Sequence, residues 1–444
     1  MDAVLISLAT FIPMLTMLVV VHELGHFFTA KWFRIKVLEF GIGYPPRALA
    51  FYTGRTRVGL DANTKFINVA GAAELQPGQM VKVSSAEGPD GNLVARIIEV
   101  PQRGLRVKGQ KGQKSQDPKG PEEYLKHDGK IRAIGNDSMV LADMAYSLNW
   151  TPLGGFVRLA GENNPAVPRS LAGKSVFARS VVLVAGSAMN ALLPIVILTA
   201  MFMAPQDVPV GDVVVTEVAP ASPASAAGLR AGDIVREAAG RPVESNGDLT
   251  RAVSLHLGTE MEWTVQRGQT QEVIRVTPRF NPPEGQGPTG VRLSMENLHM
   301  VTRSDAPWVA VPKAVTGTWD LLVMLKQEVS SWVVGGRSPE FSGPIGIAQV
   351  TGEVSREGGL RGWLVLAVLF SVNLAILNIL PIPMLDGGRL LFVVIEWVRR
   401  GKRIPAEKEG LVHLIGFVVL IVFVLLISAK DIERLIQGRS FLGG

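Results

Sequence analysis

The chain has 444 residues, with 45 Lys and Arg against 39 Asp and Glu, a net charge of +6. Hydrophobic residues make up 47% and charged residues 19%, with mean hydropathy +0.25, which excludes a disordered chain and argues against an ordinary soluble enzyme. Cysteine is absent, so disulfides, cysteine-ligated zinc and thiol catalysis are excluded; the charge is too diffuse to indicate nucleic acid.

In chain order, four charge-free runs are long enough to cross a bilayer: Ala3 to Val21, Val181 to Ala204, Gly362 to Leu385, and Leu411 to Ala429. Any one alone could be a buried core helix, but four together argue for membrane spans. The first is not read as a signal peptide, since Met1-Asp2 supplies no basic flank and no small-residue cleavage site follows. Lys31, Arg34 and Lys36 follow the first span, Lys174 and Arg179 precede the second, and Arg399, Arg400, Lys402, Arg403 and Lys408 join the last two. The positive-inside rule then predicts cytoplasmic basic connections, with both termini and the long 205–361 segment outside.

Residues 54–148 read as a small β-rich insertion, with strand-like runs at 80–83 and 93–100 and a linker punctuated by Lys108, Lys111, Lys114 and Lys119. No function is assigned to it; a solvated linker is preferred over a lipid-facing role. Residues 208–290 read as one compact α+β domain with strands at 212–218, 262–266 and 272–276 and helices at 223–229 and 248–257. Its stretch from Ala219 to Asp233 resembles the core of bacterial PDZ domains, which hold extended peptide by strand addition. Residues 307–334 read as an amphipathic helix packed on the membrane surface or on that domain, within a connector at 300–361.

The chemistry begins at the end of the first span. His22-Glu23-Leu24-Gly25-His26 puts two imidazoles four residues apart on one helix face, with Glu23 beside them where it can take a proton from water on a shared metal. Ionisable groups beside an apolar span are costly and therefore functional by default. A catalytic zinc needs a third protein ligand. The best-placed candidate is Asp386, at the end of the third charge-free run, where Pro381 and Pro383 break the helix and Gly387-Gly388 allow a tight turn. The competing reading is an interfacial aspartate capping the next helix. His127, His256 and His299 lie in soluble segments, and His413 is isolated in the fourth span.

His22 to His26 together with Asn378 to Gly388 resembles the site-2 protease family of intramembrane zinc metalloproteases, in its bacterial RseP (regulator of sigma-E protease) type. Further matches are Phe40 to Gly43, Pro152 to Arg158 (the family's membrane-associated β-loop, within 150–180), Gly186 to Asn190, Ser342 to Ala348 and Glu407 to Leu411. The resemblance implies a zinc cofactor held by His22, His26 and Asp386, with Glu23 as acid and base. It implies Asn378 as an oxyanion or substrate contact, Asn190 as support or substrate contact, and Gly154, Gly155, Pro381 and Pro383 as substrate-binding positions. It also implies a multi-pass protein of the inner (plasma) membrane whose partners are transmembrane protein substrates and lipid, not nucleic acid. The expected architecture is an α-helical polytopic membrane protein of about four transmembrane helices, with an extracytoplasmic α+β PDZ-like domain and a β-rich cytoplasmic insertion. Its segments are 1–50, 54–148, 150–180, 181–204, 208–290, 300–361, 362–398 and 411–429. The chain departs from the best-studied enterobacterial members in carrying one PDZ-like domain where they have two, from the compact members in the 54–148 insertion, and from the family pattern in Gly186-Ser187 where Gly-Pro is usual. Two alternatives stay open: a non-proteolytic membrane PDZ scaffold, and a membrane-anchored zinc protease that cuts soluble peptides.

Overall fold

The computed structural model describes residues 2–101, 123–336 and 342–437; the Lys108–Lys119 linker lies outside them. The chain divides into two compact units: residues 1–193 with 342–444, and residues 194–341.

The first unit starts with α1 (Asp2–Trp32), which is apolar on every side, as suits a helix whose backbone bonds must all be satisfied internally in lipid. Strand β1 (Val37–Thr53) follows and pairs with a strand reached only after the insertion, β8 (Met144–Leu159). Both strands bend. Phe40 and Gly41 are flanked by Tyr146 and Ser147 on one side and by Val157 and Phe156 on the other, while Ala50 and Phe51 pair outside Ser147 and Tyr146. The two strands thus form four ribbons, and Gly155 to Leu159 is an outer edge.

The insertion between them contains β2 (Thr56–Gly59), β3 (Lys65–Ile67), β4 (Met80–Glu87), β5 (Leu93–Glu99), β6 (Leu125–Ile134) and β7 (Ser138–Ala142). Their order is β2-β7-β6-β4-β5-β3, and β2 also meets β5, closing five of them into a ring. Alternate residues such as Val81, Val83, Ile98, Ile131, Met139 and Leu141 fill its interior. The described part of the β-rich insertion is therefore a packed barrel.

Helix α2 (Val176–Met203) begins in the first unit and ends in the second. The second unit continues with β9 (Gln206–Val218), α3 (Pro223–Ala226), β10 (Ile234–Ala238), β11 (Arg241–Pro242), α4 (Asn246–Leu255), β12 (Met261–Arg267), β13 (Thr270–Val276), β14 (Val291–Arg303) and α5 (Pro307–Val333). The antiparallel order β13-β12-β10-β9-β14 surrounds a core centred on the fully buried Trp263. Ser222 and Ser245 cap α3 and α4, their hydroxyls accepting from the backbone N–H groups of Ser225 and Asp248. The sheet runs beyond the expected limit at residue 290, because β14 adds to β9. Of the two expected positions for the amphipathic helix, α5 takes the one on the domain: Asp320 meets Arg241 at 2.7 Å and Arg251 at 2.8 Å, and Gln327 donates to the Leu255 carbonyl.

The chain returns to the first unit with α6 (Pro344–Ile379), α7 (Asp386–Val398) and α8 (Ala406–Ile436). Gly359 interrupts α6 with φ 56° and ψ −145°, so the helix starts well before the expected 362 and changes course at the Gly358-Gly359 pair. Among the described residues, four helices are long and apolar enough to cross a membrane: α1, α2, α6 and α8.

Candidate metal centre

Helix α1 carries His22 and His26 one turn apart, so both rings leave the same face; their centroids are 4.8 Å apart. Asp386 arrives from a distant part of the chain. Helix α6 ends at Ile379, the two prolines forbid its continuation, and Asp386 opens α7. The doubling back is tight: a Cβ at Gly387 would run into the carbonyl oxygens of Ile379 and Leu380. Met384 takes φ 75° in this loop, and its N–H donates to His413 Nδ1 at 2.9 Å. His413 is thus a support for the loop before Asp386, not the isolated residue expected. Pro383 lies against Gly416 of α8, where a Cβ would collide with its ring.

The result is a cluster of three ligand-type atoms. His22 Nε2 and His26 Nε2 are 3.1 Å apart and lie 2.8 and 3.1 Å from Asp386 Oδ2. Among the described residues this is the group of His, Asp and Glu side chains that could hold a metal ion. Two imidazoles and a carboxylate on one point are the donor set of a catalytic zinc site, with a fourth position left for water. His26 Nδ1 meets the Val182 carbonyl at 2.8 Å, the outer bond such a ligand requires. His22 Nδ1 faces the Asn190 side-chain amide nitrogen at 3.4 Å; with that amide turned over, its buried Oδ1, which has no partner among the described residues, would accept the Nδ1–H. Asn190 is completely buried, and its own carbonyl accepts from Ser371. It therefore faces His22 and not the cavity, which favours the supporting part of its expected role over substrate contact. Gly186 allows α2 to approach: a Cβ there would lie 2.5 Å from the His22 ring and 2.6 Å from His26 Nε2.

Glu23 points to the β-ribbon. Its Oε2 accepts from the Val157 N–H at 2.9 Å. Glu23, His26, Asp386, Gly155, Phe156 and Val157 line one cavity of about 240 Å³, closed on another side by Glu162 and Arg389, paired at 2.6 Å. Gly154, at φ 70°, sits at the bend beside Val19. Asn378, Pro381 and Pro383 are not among the residues lining that cavity. The Glu162–Arg389 pair, Tyr44 and the Asn190–Ser371 contact carried no local motif that would have found them.

A second constellation needs separating from this one. In the barrel, Ser85 Oγ is 2.9 Å from His127 Nε2, and His127 Nδ1 is 2.7 Å from Asp143 Oδ2, the connectivity of a serine-hydrolase triad. Ser85 is 0% exposed, so no carbonyl can reach it. Asp143 also meets Lys36 at 2.6 Å and accepts from Thr56, so the network fastens the barrel to the segment after α1. Burial pushes the Asp143 carboxyl up, but the His127 hydrogen bond and the Lys36 charge outweigh it and hold it down at about 2.

The model of peptidase family M50 matches residues 10–89 and 137–423. The chain is 29% identical to a protein of Oceanobacillus iheyensis named zinc metalloprotease RasP, over 97% of this chain and 99% of that one. It is 29% identical to the regulator of sigma-W protease RasP of Bacillus subtilis, with the same two coverages. It is 26% identical to a probable protease, Eep, of Enterococcus faecalis, over 96% and 99%. A PDZ domain from Listeria innocua aligns with 20% of this chain at 20% identity and a TM-score of 0.18, too low for any likeness to rest on it.

Proposed function

This chain belongs to peptidase family M50, and from that premise we propose that it is an intramembrane zinc metalloprotease that hydrolyses peptide bonds within or near the transmembrane segments of membrane proteins. The observation that carries the reading is the convergence of His22, His26 and Asp386 beside Glu23 on a membrane-length helix. His22, His26 and Asp386 would hold the zinc, which when bound lowers the pKa of water and polarises a carbonyl. Glu23 takes the proton from the attacking water and delivers it to the leaving amine. The Val157 N–H fixes the Glu23 carboxylate at the rim of the cavity, so one group is oriented for both transfers.

A transmembrane helix hides its carbonyls in its own hydrogen bonds and must unwind before it is cut. The outer edge at Gly155–Leu159, beside Glu23, could take an extended substrate as an added strand through groups other than the Val157 N–H, which Glu23 already occupies. Gly155 lets this segment pack closely on β1 and α1: a Cβ there would lie 2.9 Å from the Gly41 carbonyl and 3.3 Å from the Val20 side chain. Asn378 is retained as a candidate oxyanion or substrate contact, and Pro381 and Pro383 as substrate contacts, on the family resemblance. The basic connections, by the positive-inside rule, support the reading that 208–290 is extracytoplasmic. There the domain would hold peptide segments of substrates. A PDZ scaffold without catalysis would need neither Glu23 nor the ligand cluster.

The discriminating experiment gives purified protein two substrates, a soluble peptide and a membrane-embedded transmembrane segment. Cleavage of the embedded segment is expected. Activity confined to the soluble peptide would leave the membrane as a mere anchor, and no cleavage of either, with zinc bound, would favour the scaffold.

A further inference from the structure

A cavity of about 660 Å³ opens where α1 ends and α2 begins, lined by Lys31, Arg34, Lys36, Arg55, Arg169 and Lys174, with no acidic residue among the described residues of its wall. Of these cations Lys36 alone has a carboxylate partner among the described residues, the fully buried Asp143 behind it. Lys31 sits over the Phe27 ring at 4.2 Å. Arg34, Arg55, Arg169 and Lys174 form no ion pair among the described residues. Six cations around one concavity repel one another unless an anion enters it.

The backbone is arranged to bring them together. Arg34 and Arg169 both take φ 55°, a left-handed conformation that costs a long side chain energy, and they do so in two turns joined by the Lys36 N–H to Arg169 carbonyl bond at 2.9 Å. Burial and the Arg169 charge hold the Lys36 ammonium below the usual lysine range, against the pull of Asp143.

We infer that this cavity binds the phosphate headgroup of an anionic membrane lipid. The class of anion follows from the donors: guanidinium and ammonium groups lining one cavity suit phosphate oxygens. The source follows from position. The cavity lies at the adjoining ends of two membrane-length helices, and Trp32 and Phe177, 77% and 71% exposed, stand beside it as interfacial aromatics do. The insertion barrel supplies Arg55 and Thr56 to the wall, so an occupied site would tie barrel, β-ribbon and helix ends together at the membrane surface. The inference rests on the membrane helices and not on the protease reading.

The test uses the full-length protein purified in a neutral detergent. Binding of dioctanoyl phosphatidylglycerol, dioctanoyl phosphatidylcholine and inorganic phosphate is measured by native mass spectrometry. One tightly held phosphatidylglycerol is expected, with phosphatidylcholine and inorganic phosphate much weaker. In Arg34→Asn/Arg169→Asn, which keeps a residue that tolerates the left-handed conformation, affinity should fall about 25-fold, and in Lys174→Gln about fivefold, taking about a fivefold loss per cation removed. Should the double variant fail to fold, Lys174→Gln carries the test alone. Equal binding of phosphatidylcholine, or wild-type affinity in Lys174→Gln, would overturn the site. Inorganic phosphate binding as tightly as phosphatidylglycerol would make it a free-anion site and overturn the lipid assignment.

Discussion

At the residue scale, the proposed chemistry rests on three atoms. His22 Nε2, His26 Nε2 and Asp386 Oδ2 lie within 3.1 Å of one another in pairs, and no local sequence distance explains the third. We predict that His22→Ala, His26→Ala and Asp386→Ala each abolish the roughly one zinc per chain expected of the wild type, measured by atomic absorption. Asn190 acts through His22, so Asn190→Ala should keep the metal but bind it roughly 10–100-fold more weakly in chelator competition. Unchanged metal affinity in that variant would remove Asn190 from the support of the site. The barrel triad should behave differently. Ser85 is inaccessible, so a fluorophosphonate probe should not label the folded protein, and Ser85→Ala should cleave at the wild-type rate. Asp143 is a stability residue. Its carboxyl is held at about 2 in the folded chain and near 4 when unfolded, so it contributes about 2 kcal/mol above pH ~4, lost as pH falls through the folded value. Thermal melts of wild type and Asp143→Asn at pH 7, 4 and 2 should show the gap between them closing across that interval. A pH-independent gap would contradict the assignment.

At the scale of elements, the parts legible in the sequence were those whose signal is local. Charge-free runs announced α1, α2, the second half of α6 and α8, and the four-residue spacing put His22 and His26 on one face. The Pro381–Gly388 stretch announced a break with an aspartate at its end. What was not legible depends on partners far along the chain. The first half of α6 carries Glu353, Arg356, Glu357 and Arg361, which ended the apolar run and disguised the helix as a connector. Strand β14 shows no clean alternation, since most of its residues are exposed or half-buried. The doubled pairing of β1 and β8 needs registers no hydrophobic pattern encodes, and the Asn190–His22 contact joins residues 168 apart. The glycines at the site are legible only afterwards, because what each must avoid is another element's backbone or ring. Gly186→Ala should therefore disturb the metal centre more than its size suggests, since its Cβ would press on both imidazoles. A large drop in zinc affinity with an unchanged melting temperature is expected. Wild-type zinc binding would show that α2 can retreat without cost to the site.

At the scale of the whole molecule, the basic connections should face the cytoplasm, and Glu23 should carry the protons of the cleavage. The absence of native cysteine makes the first simple to examine. Lys402→Cys should be shielded from an impermeant thiol reagent in intact cells and Asn246→Cys should react; the reverse pattern would overturn the positive-inside argument. The second is tested most directly on Glu23, the one group asked to move protons without holding the metal. Purified full-length wild type and Glu23→Gln are compared for zinc content and for cleavage of a membrane-embedded transmembrane segment. The account predicts about one zinc in both proteins, with cleavage lowered roughly 10²–10⁴-fold in Glu23→Gln. Equal cleavage by the two proteins, with zinc present in both, would contradict it.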